Sequence, residues 1–368
     1  MPWMQPCGKC GKALFRSFLL AGILGFSLGL HGCSAGYLLH LGRGQLKIVC
    51  GSKSIERVLG DEAVPESVKD KIRLVLDAKA FGEKELGLAS SKNYTRYYVV
   101  ETPPIAFNLT ASPQLALEAY SWCFPVAGCL PYKGFFSRER ALRESNRMAE
   151  RGYDVYLRHV GAYSTLGWFT DPIFSTMMDY GDTGLVEMIL HEMVHGTVFV
   201  KHQGAFNEGV ATFVGEKGTE IFFRAQGGVG VGHIEEMQER KEAQRLFRET
   251  MFQIAERLRG LYGMDLEDGD KLSRRGRILE EGKESFRRQL ESIDSTRYGG
   301  ILRADWNNAF VVSYLTYHEN PDLWEFLYDR FDRNLRAMVA WLKTLERAED
   351  PMACIERLLA QGDASADH

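Results

Sequence analysis

Residues 185–199 read LVEMILHEMVHGTVF, an apolar run into which His191, Glu192 and His195 are set as HExxH. On a helix, positions i and i+4 share a face. Both imidazoles can therefore reach one Zn2+, while Glu192 stands beside the place an attacking water would take. A neutral imidazole nitrogen suits a borderline cation, and the neighbouring carboxylate can take a proton and pass it to a leaving amine. Ile189, Leu190, Met193 and Val194 fill the surrounding positions, with no other charge and no Pro between them. Gly181-Asp182-Thr183 supplies a turn and a cap for a helix beginning near Leu185.

A catalytic zinc takes three protein ligands and keeps one open position. Downstream lies FNEGVATF, residues 206–213, in which Asn207-Glu208 resembles the NExxA segment of gluzincins, the thermolysin-like metallopeptidases. The resemblance makes Glu208 the third ligand. Twelve residues separate it from His195, enough for a tight loop centred on VKHQGA. Glu216, eight residues further and on much the same helix face, is the competing ligand or an outer carboxylate. His202 in the loop is a further candidate.

Working outward, the PESVKDKIRLVLDAKA segment (65–80) is an amphipathic helix, and RYYVVETPPIAFNLTASP (96–113) suggests two short strands around a Pro pair. Another helix is expected over 137–151 and a strand over 153–164. Residues 233–299 are dense in charge and read as two long helices in a hairpin, bent within 260–269, with Met237, Leu246, Phe252 and Ile254 as a packed stripe. The charges themselves are solvated faces. A last helical block covers 307–361. The expected fold is α+β: a mostly helical, zincin-like metallopeptidase with a small mixed sheet and a long helical hairpin.

The N-terminus is a different kind of sequence. Lys9, Lys12 and Arg16 precede the uncharged run SFLLAGILGFSLGLHG (17–32), short for a bilayer span of about 20 residues. It ends in Leu30-His31-Gly32-Cys33, which looks like a bacterial lipobox, so 1–32 reads as a lipoprotein signal peptide, with lipidation of Cys33. An uncleaved inner-membrane signal anchor is the alternative. Ser34 after the cysteine resembles the pattern sorted to the outer membrane, facing the periplasm. Residues 33–60 are then anchor and tether, and 61–368 the peptidase domain, with 233–299 as an insertion. Among the remaining cysteines, Cys123 and Cys129 flank FPVAG closely enough for a local bridge in an oxidising compartment. Cys50 with Cys354 is a second pairing that sequence does not fix; four free thiols are the alternative.

With 45% hydrophobic residues and 26% charged, the chain is neither disordered nor fibrous, and its net charge of −4 without a long basic block excludes an electrostatic case for nucleic acid. Taken together, the lipobox, WCFPVAGCLPYKGFF (122–136), GAYSTLGWFTDPI (161–173), HEMVH, FNEGVATFVGEKG and WNNAF (306–310) resemble the predicted zinc aminopeptidases of Gram-negative bacteria over nearly the whole mature chain. That resemblance implies hydrolysis of peptides, with Zn2+ as cofactor and Glu192 as general base. It also implies a hydroxyl donor to the oxyanion; Tyr314 and Tyr317 are the candidates, because gluzincins often use a Tyr or His from a later helix. Tyr163 to Phe169 stands where zincins place a substrate-binding edge, which makes Thr165, Leu166 and Gly167 the substrate-binding residues. Glu187, one turn before His191, is a candidate for the substrate's amine. The competing functions are an envelope quality-control endopeptidase and a non-catalytic zinc-binding lipoprotein whose hairpin docks a partner.

Overall fold

Two short strands, Arg96–Tyr98 (β2) and Ile173–Phe174 (β8), lie far apart in sequence yet pair in parallel, Tyr97 against Ile173 and Tyr98 against Phe174. In this computed structural model, which describes residues 32–124, 128–160, 170–291, 298–318 and 321–363, that pairing sets the entry to the HExxH helix. Contacts divide the chain into Met1–Leu46 and Lys47–His368. Residues 1–31 of the expected signal peptide lie outside the described residues. Cys33 falls on helix α1 (Gly32–Gly51), which runs through the division. No described helix is long and apolar enough to cross a membrane.

The second unit begins before residue 61. Strand β1 (Lys53–Ser54) pairs antiparallel with β2, and helix α2 (Ile55–Leu59) follows, capped by the Ser54 side chain. Ile48, Ile55 and Val58 are buried in the main core, so residues 47–60, expected as tether, are part of the folded body. Helix α3 (Glu66–Lys84) comes next, buried along Ile72, Val75 and Ala78.

A second sheet has the order β6-β3-β7, all antiparallel: Ala106–Pro113 (β3) lies between Lys133–Phe135 (β6) and Tyr153–Val160 (β7). Between them a two-stranded hairpin, Trp122–Phe124 (β4) and Gly128–Leu130 (β5), is closed by the Cys123–Cys129 disulfide across directly paired residues. Cys50 and Cys354 are free thiols, so the second pairing does not form. The expected single mixed sheet is thus two small sheets and a hairpin, one mixed and the rest antiparallel. Helix α4 (Arg138–Glu150) starts where the Ser137 hydroxyl accepts from Arg140 N–H.

Helices α5 (Asp182–His195) and α6 (Gly204–Ala225) form the centre of the core. α5 buries Leu185, Val186, Ile189, Leu190, Met193 and Val194, and α6 buries Phe206, Val210, Ala211, Phe213, Val214, Phe222 and Phe223. A helix apolar nearly all round must be covered nearly all round. Their backbones meet at Gly215: a Cβ there would stand 3.2 Å from the Glu187 carbonyl and 3.3 Å from His191 Cβ.

The charged stretch folds as α7 (Val231–Tyr262) and α8 (Asp268–Leu290), the expected hairpin with its bend at 263–267. Its stripe is shifted from the expected one. Ala243, Phe247, Met251, Ile254, Leu258 and Leu261 are buried at helical spacing, whereas Leu246 and Phe252 are half-buried. With Leu279, Phe286 and Leu290, and with Trp306 and Phe310, they make a second core. The final helical block consists, among the described residues, of α10 (Asn308–His318), α11 (Pro321–Arg330), α12 (Leu335–Lys343) and α13 (Pro351–Asp363), preceded by the short α9 (Gly299–Arg303).

The WNNAF segment joins these parts. Asn308 is fully buried; its Nδ2 donates to the carbonyls of Pro113, Gln114 and Ala116, its Oδ1 accepts from the Tyr262 hydroxyl at 2.8 Å, and its backbone N–H donates to Asp154. Asp154 in turn pairs with Arg275 of α8. One amide side chain thereby ties the second sheet to the hairpin.

Candidate metal centre

At the C-terminal end of α5, His191 and His195 bring their Nε2 atoms to 3.2 Å, and Glu208 of α6 places Oε2 at 3.4 Å and 3.6 Å from them. Ligand atoms about 2.05 Å from a tetrahedral Zn2+ stand about 3.3 Å apart, so three such atoms fit one face of a tetrahedron and leave the fourth vertex open. Two imidazoles and a carboxylate are also a donor set that suits zinc. The two rings meet edge-on, with centroids 4.9 Å apart, and His195 is nearly fully buried. His195 Nδ1 is buried without a hydrogen-bond partner among the described residues.

The electrostatics are those of a buried cluster whose members offset one another's charge. Burial would raise the Glu208 carboxyl pKa, but the two imidazoles outweigh it and hold the group at about 2. For His195, burial favours the neutral ring, and Glu208 reverses this, raising its pKa. Glu192 is raised above the ordinary carboxylate range: burial dominates, the two histidines oppose it, and Glu208 and Asp171 add to it. A carboxylate raised in this way is a better proton acceptor than an exposed one.

The loop between His195 and Glu208 is held by Asn207. Its Nδ2 donates to the Val200 carbonyl and its Oδ1 accepts from the Val200 N–H, both at 2.8 Å. In the Asn-Glu pair, then, the Asn clamps the loop and the Glu faces the histidines. Thr197 braces the same turn, donating to the Met193 carbonyl while accepting from Ala89 N–H. His202 is exposed, with φ of 66°, against the disulfide hairpin, and is apart from the cluster.

The other expected residues fare differently. Glu216 is not with the histidines: it lies by Glu187, which is ion-paired with Arg240 of α7. Tyr314 packs edge-on against Phe247 in the second core, with centroids 4.7 Å apart; burial raises its pKa, Arg248 opposes this, and Tyr298 and Glu216 add to it. Tyr317 falls on α10, and its side chain lies outside the described residues, as do Thr165, Leu166 and Gly167.

Two residues near Glu192 were missed. Tyr94 is 3% exposed, and its hydroxyl is held protonated first by burial, then by the charges of Glu192 and Asp171. Its backbone is left-handed, with φ of 63°, and its N–H donates to the Asp171 carbonyl at 2.7 Å while Asn93 Oδ1 accepts from Asp171 N–H. A non-glycine residue in that conformation is strained and persists where its surroundings fix it. Asp171 sat in the quoted GAYSTLGWFTDPI segment with no role assigned to it, and nothing local marks Tyr94.

The fold and this site define a mostly helical α+β protein with an HExxH helix and a carboxylate from the next helix. A family model described as "Putative aminopeptidase" matches residues 36–353, and the chain belongs to that family. Searches of curated proteins and of solved structures give no match.

Proposed function

We propose that this protein is a zinc-dependent, zincin-like peptidase, acting as an aminopeptidase, lipid-anchored through Cys33 to the outer membrane and facing the periplasm. The observation that carries the reading is the convergence of the His191, His195 and Glu208 ligand atoms at tetrahedral-edge spacing, with Glu192 buried beside them. Membership of the aminopeptidase family supports peptides as substrates.

His191, His195 and Glu208 would hold the ion, and a zinc there supplies Lewis acidity toward the scissile carbonyl and toward water. Glu192 takes the proton of the attacking water and delivers it to the departing amine. Its raised pKa matches it to both halves of that transfer. Tyr94, whose buried phenol lies close enough to Glu192 to feel its charge, joins Tyr314 and Tyr317 as a candidate hydroxyl donor to the oxyanion. Asn207 keeps Glu208 on station.

The test uses the zinc-loaded chain with a panel of peptides carrying free or acetylated N-termini, beside Glu192→Gln. Cleavage of free-amine peptides alone, abolished in the variant, is expected. Equal cleavage of acetylated peptides would replace the exopeptidase by an endopeptidase, and cleavage by neither protein would reject the peptidase.

A further inference from the structure

Among the described residues, β4 and β5 pair only with each other. A two-stranded hairpin with three residues a side is marginal in water, so its closure falls to the Cys123–Cys129 disulfide. Both cysteines are exposed to solvent, and an accessible disulfide is the kind that thiols attack. One end of the hairpin is fixed: Trp122 is buried and meets Tyr120 edge-on, with centroids 4.9 Å apart.

The start of β5 bears on the loop between two of the metal ligands. Gly128 lies against the His202 ring: a Cβ on it would stand 2.7 Å from His202 Cε1 and 2.8 Å from Nδ1. Its φ of 75° also favours glycine, so the hairpin needs that residue both for its backbone and for room to approach His202. His202, with φ of 66°, is itself in a conformation that a residue with a side chain holds where its surroundings fix it. The same loop is gripped on its inner side. Val200 N–H donates to Asn207 Oδ1 at 2.8 Å, Gln203 N–H donates to the Val200 carbonyl at 3.2 Å, and Gln203 Nε2 donates to the Glu349 carbonyl at 3.0 Å. The hairpin thus touches, at its strained residue, the segment that carries the chain from His195 to Glu208.

We propose that the Cys123–Cys129 disulfide is a redox switch for the metal centre. Closed, it seats Gly128 against His202 and holds the loop in the form that brings His191, His195 and Glu208 together. Opened by a dithiol reductant, it frees the loop and weakens metal binding. The switch rests on the metal-centre reading above. In the opening step a thiolate of the dithiol attacks one sulfur, the S–S bond breaks and a mixed disulfide forms, which the second thiol of the reductant resolves. Two electrons and two protons pass to the chain, leaving Cys123 and Cys129 as thiols and the reductant as its own disulfide.

The full chain is compared in its oxidised form, after reduction with dithiothreitol that is then removed under argon, and as Cys123→Ser with Cys129→Ser, which has no hairpin thiols to take zinc. In the metal-free protein, amide exchange at Val200 and Gln203 speeds up about tenfold on opening, while buried Met251 and Ile254 of α7 keep their protection. Zinc affinity, read by competition with a chelator, falls about tenfold, the scale of losing an outer contact that orients a ligand. His202→Gly takes the same backbone without strain and removes the ring, so its zinc affinity is the same in both redox states. The proposal is overturned by unchanged exchange at Val200 and Gln203, by equal loss of protection in α7, or by a redox difference that survives in His202→Gly. A chain that binds zinc equally in both states fails the switch alone; one that takes no zinc in either state fails the metal-centre reading and the switch with it.

Discussion

The α5–α6 pair and the α7–α8 hairpin are both packed helix pairs, and they treat charge in opposite ways. The hairpin buries one stripe and dresses the rest with ion pairs such as Arg245 with Glu242 and Glu249, or Arg287 with Glu284, all well exposed. Its tight contact is apolar: a Cβ on Gly282 would stand 2.4 Å from Ile254 Cδ1. The α5–α6 pair is apolar over most of its surface, yet Glu187, His191, Glu192, His195, Asn207, Glu208 and Glu216 gather where the helices meet. Exposed pairs contribute little, while a buried ionisable group is costly unless something compensates it. Polar residues therefore converge on one cluster in the first region and cover the surface in the second.

The largest effect expected is at Glu192. Glu192→Gln should lower kcat by about 10²- to 10⁴-fold, the usual contribution of a positioned general base, with zinc content unchanged. Steady-state kinetics with metal analysis checks this, and a variant that keeps its activity would reduce Glu192 to another buried polar group.

Next comes Asn207→Ala, which leaves the Val200 N–H buried without a partner and the Val200 carbonyl with the Gln203 N–H alone. A loss of about 2–4 kcal/mol is expected in chemical denaturation, since two hydrogen bonds and their desolvation go together. Zinc affinity should fall with it, because Glu208 is the next residue.

A smaller, pH-dependent effect belongs to Glu216. Its folded pKa of about 7 lies above the unfolded value near 4.5, so the native state holds a proton that the unfolded chain has released. In the metal-free protein, stability should fall as pH rises through that window and level off above about 7, by on the order of 2 kcal/mol. Glu216→Gln should flatten the profile and be the more stable protein at pH 8. Thermal melts across pH 5 to 8 decide it.

The smallest effect is on the hairpin surface. Arg245→Ala should change stability by less than about 0.5 kcal/mol despite its two ion pairs, and more weakly still in high salt. A loss of 2 kcal/mol there would erase the contrast between the regions.

The same contrast explains what was legible in the sequence. HExxH and the hairpin are written in local spacing, the Asn207-Glu208 pair was reached through its resemblance to a known segment, and the Cys123–Cys129 bridge was one of the alternatives that a six-residue separation allows. The β2–β8 pairing could not be read, because a two-residue parallel strand has no pattern of its own and its register comes from what packs on it. Tyr94 and Asp171 reach Glu192 through that same non-local arrangement. The role of Asn308 was hidden for the same reason: its partners lie nearly two hundred residues away. Residues 47–60 were expected as a tether because they follow the uncharged run 17–32, whereas Ile48, Ile55 and Val58 pack into the core.

The measurement closest to the central claim is the metal stoichiometry of the full chain, with X-ray absorption at the zinc edge, beside His195→Ala, Glu208→Ala and Glu192→Gln. One zinc per chain with two nitrogen ligands and a carboxylate oxygen is expected, lost or severely weakened in the first two variants and retained in the third. Undiminished zinc in Glu208→Ala, or none in the wild type, would contradict it.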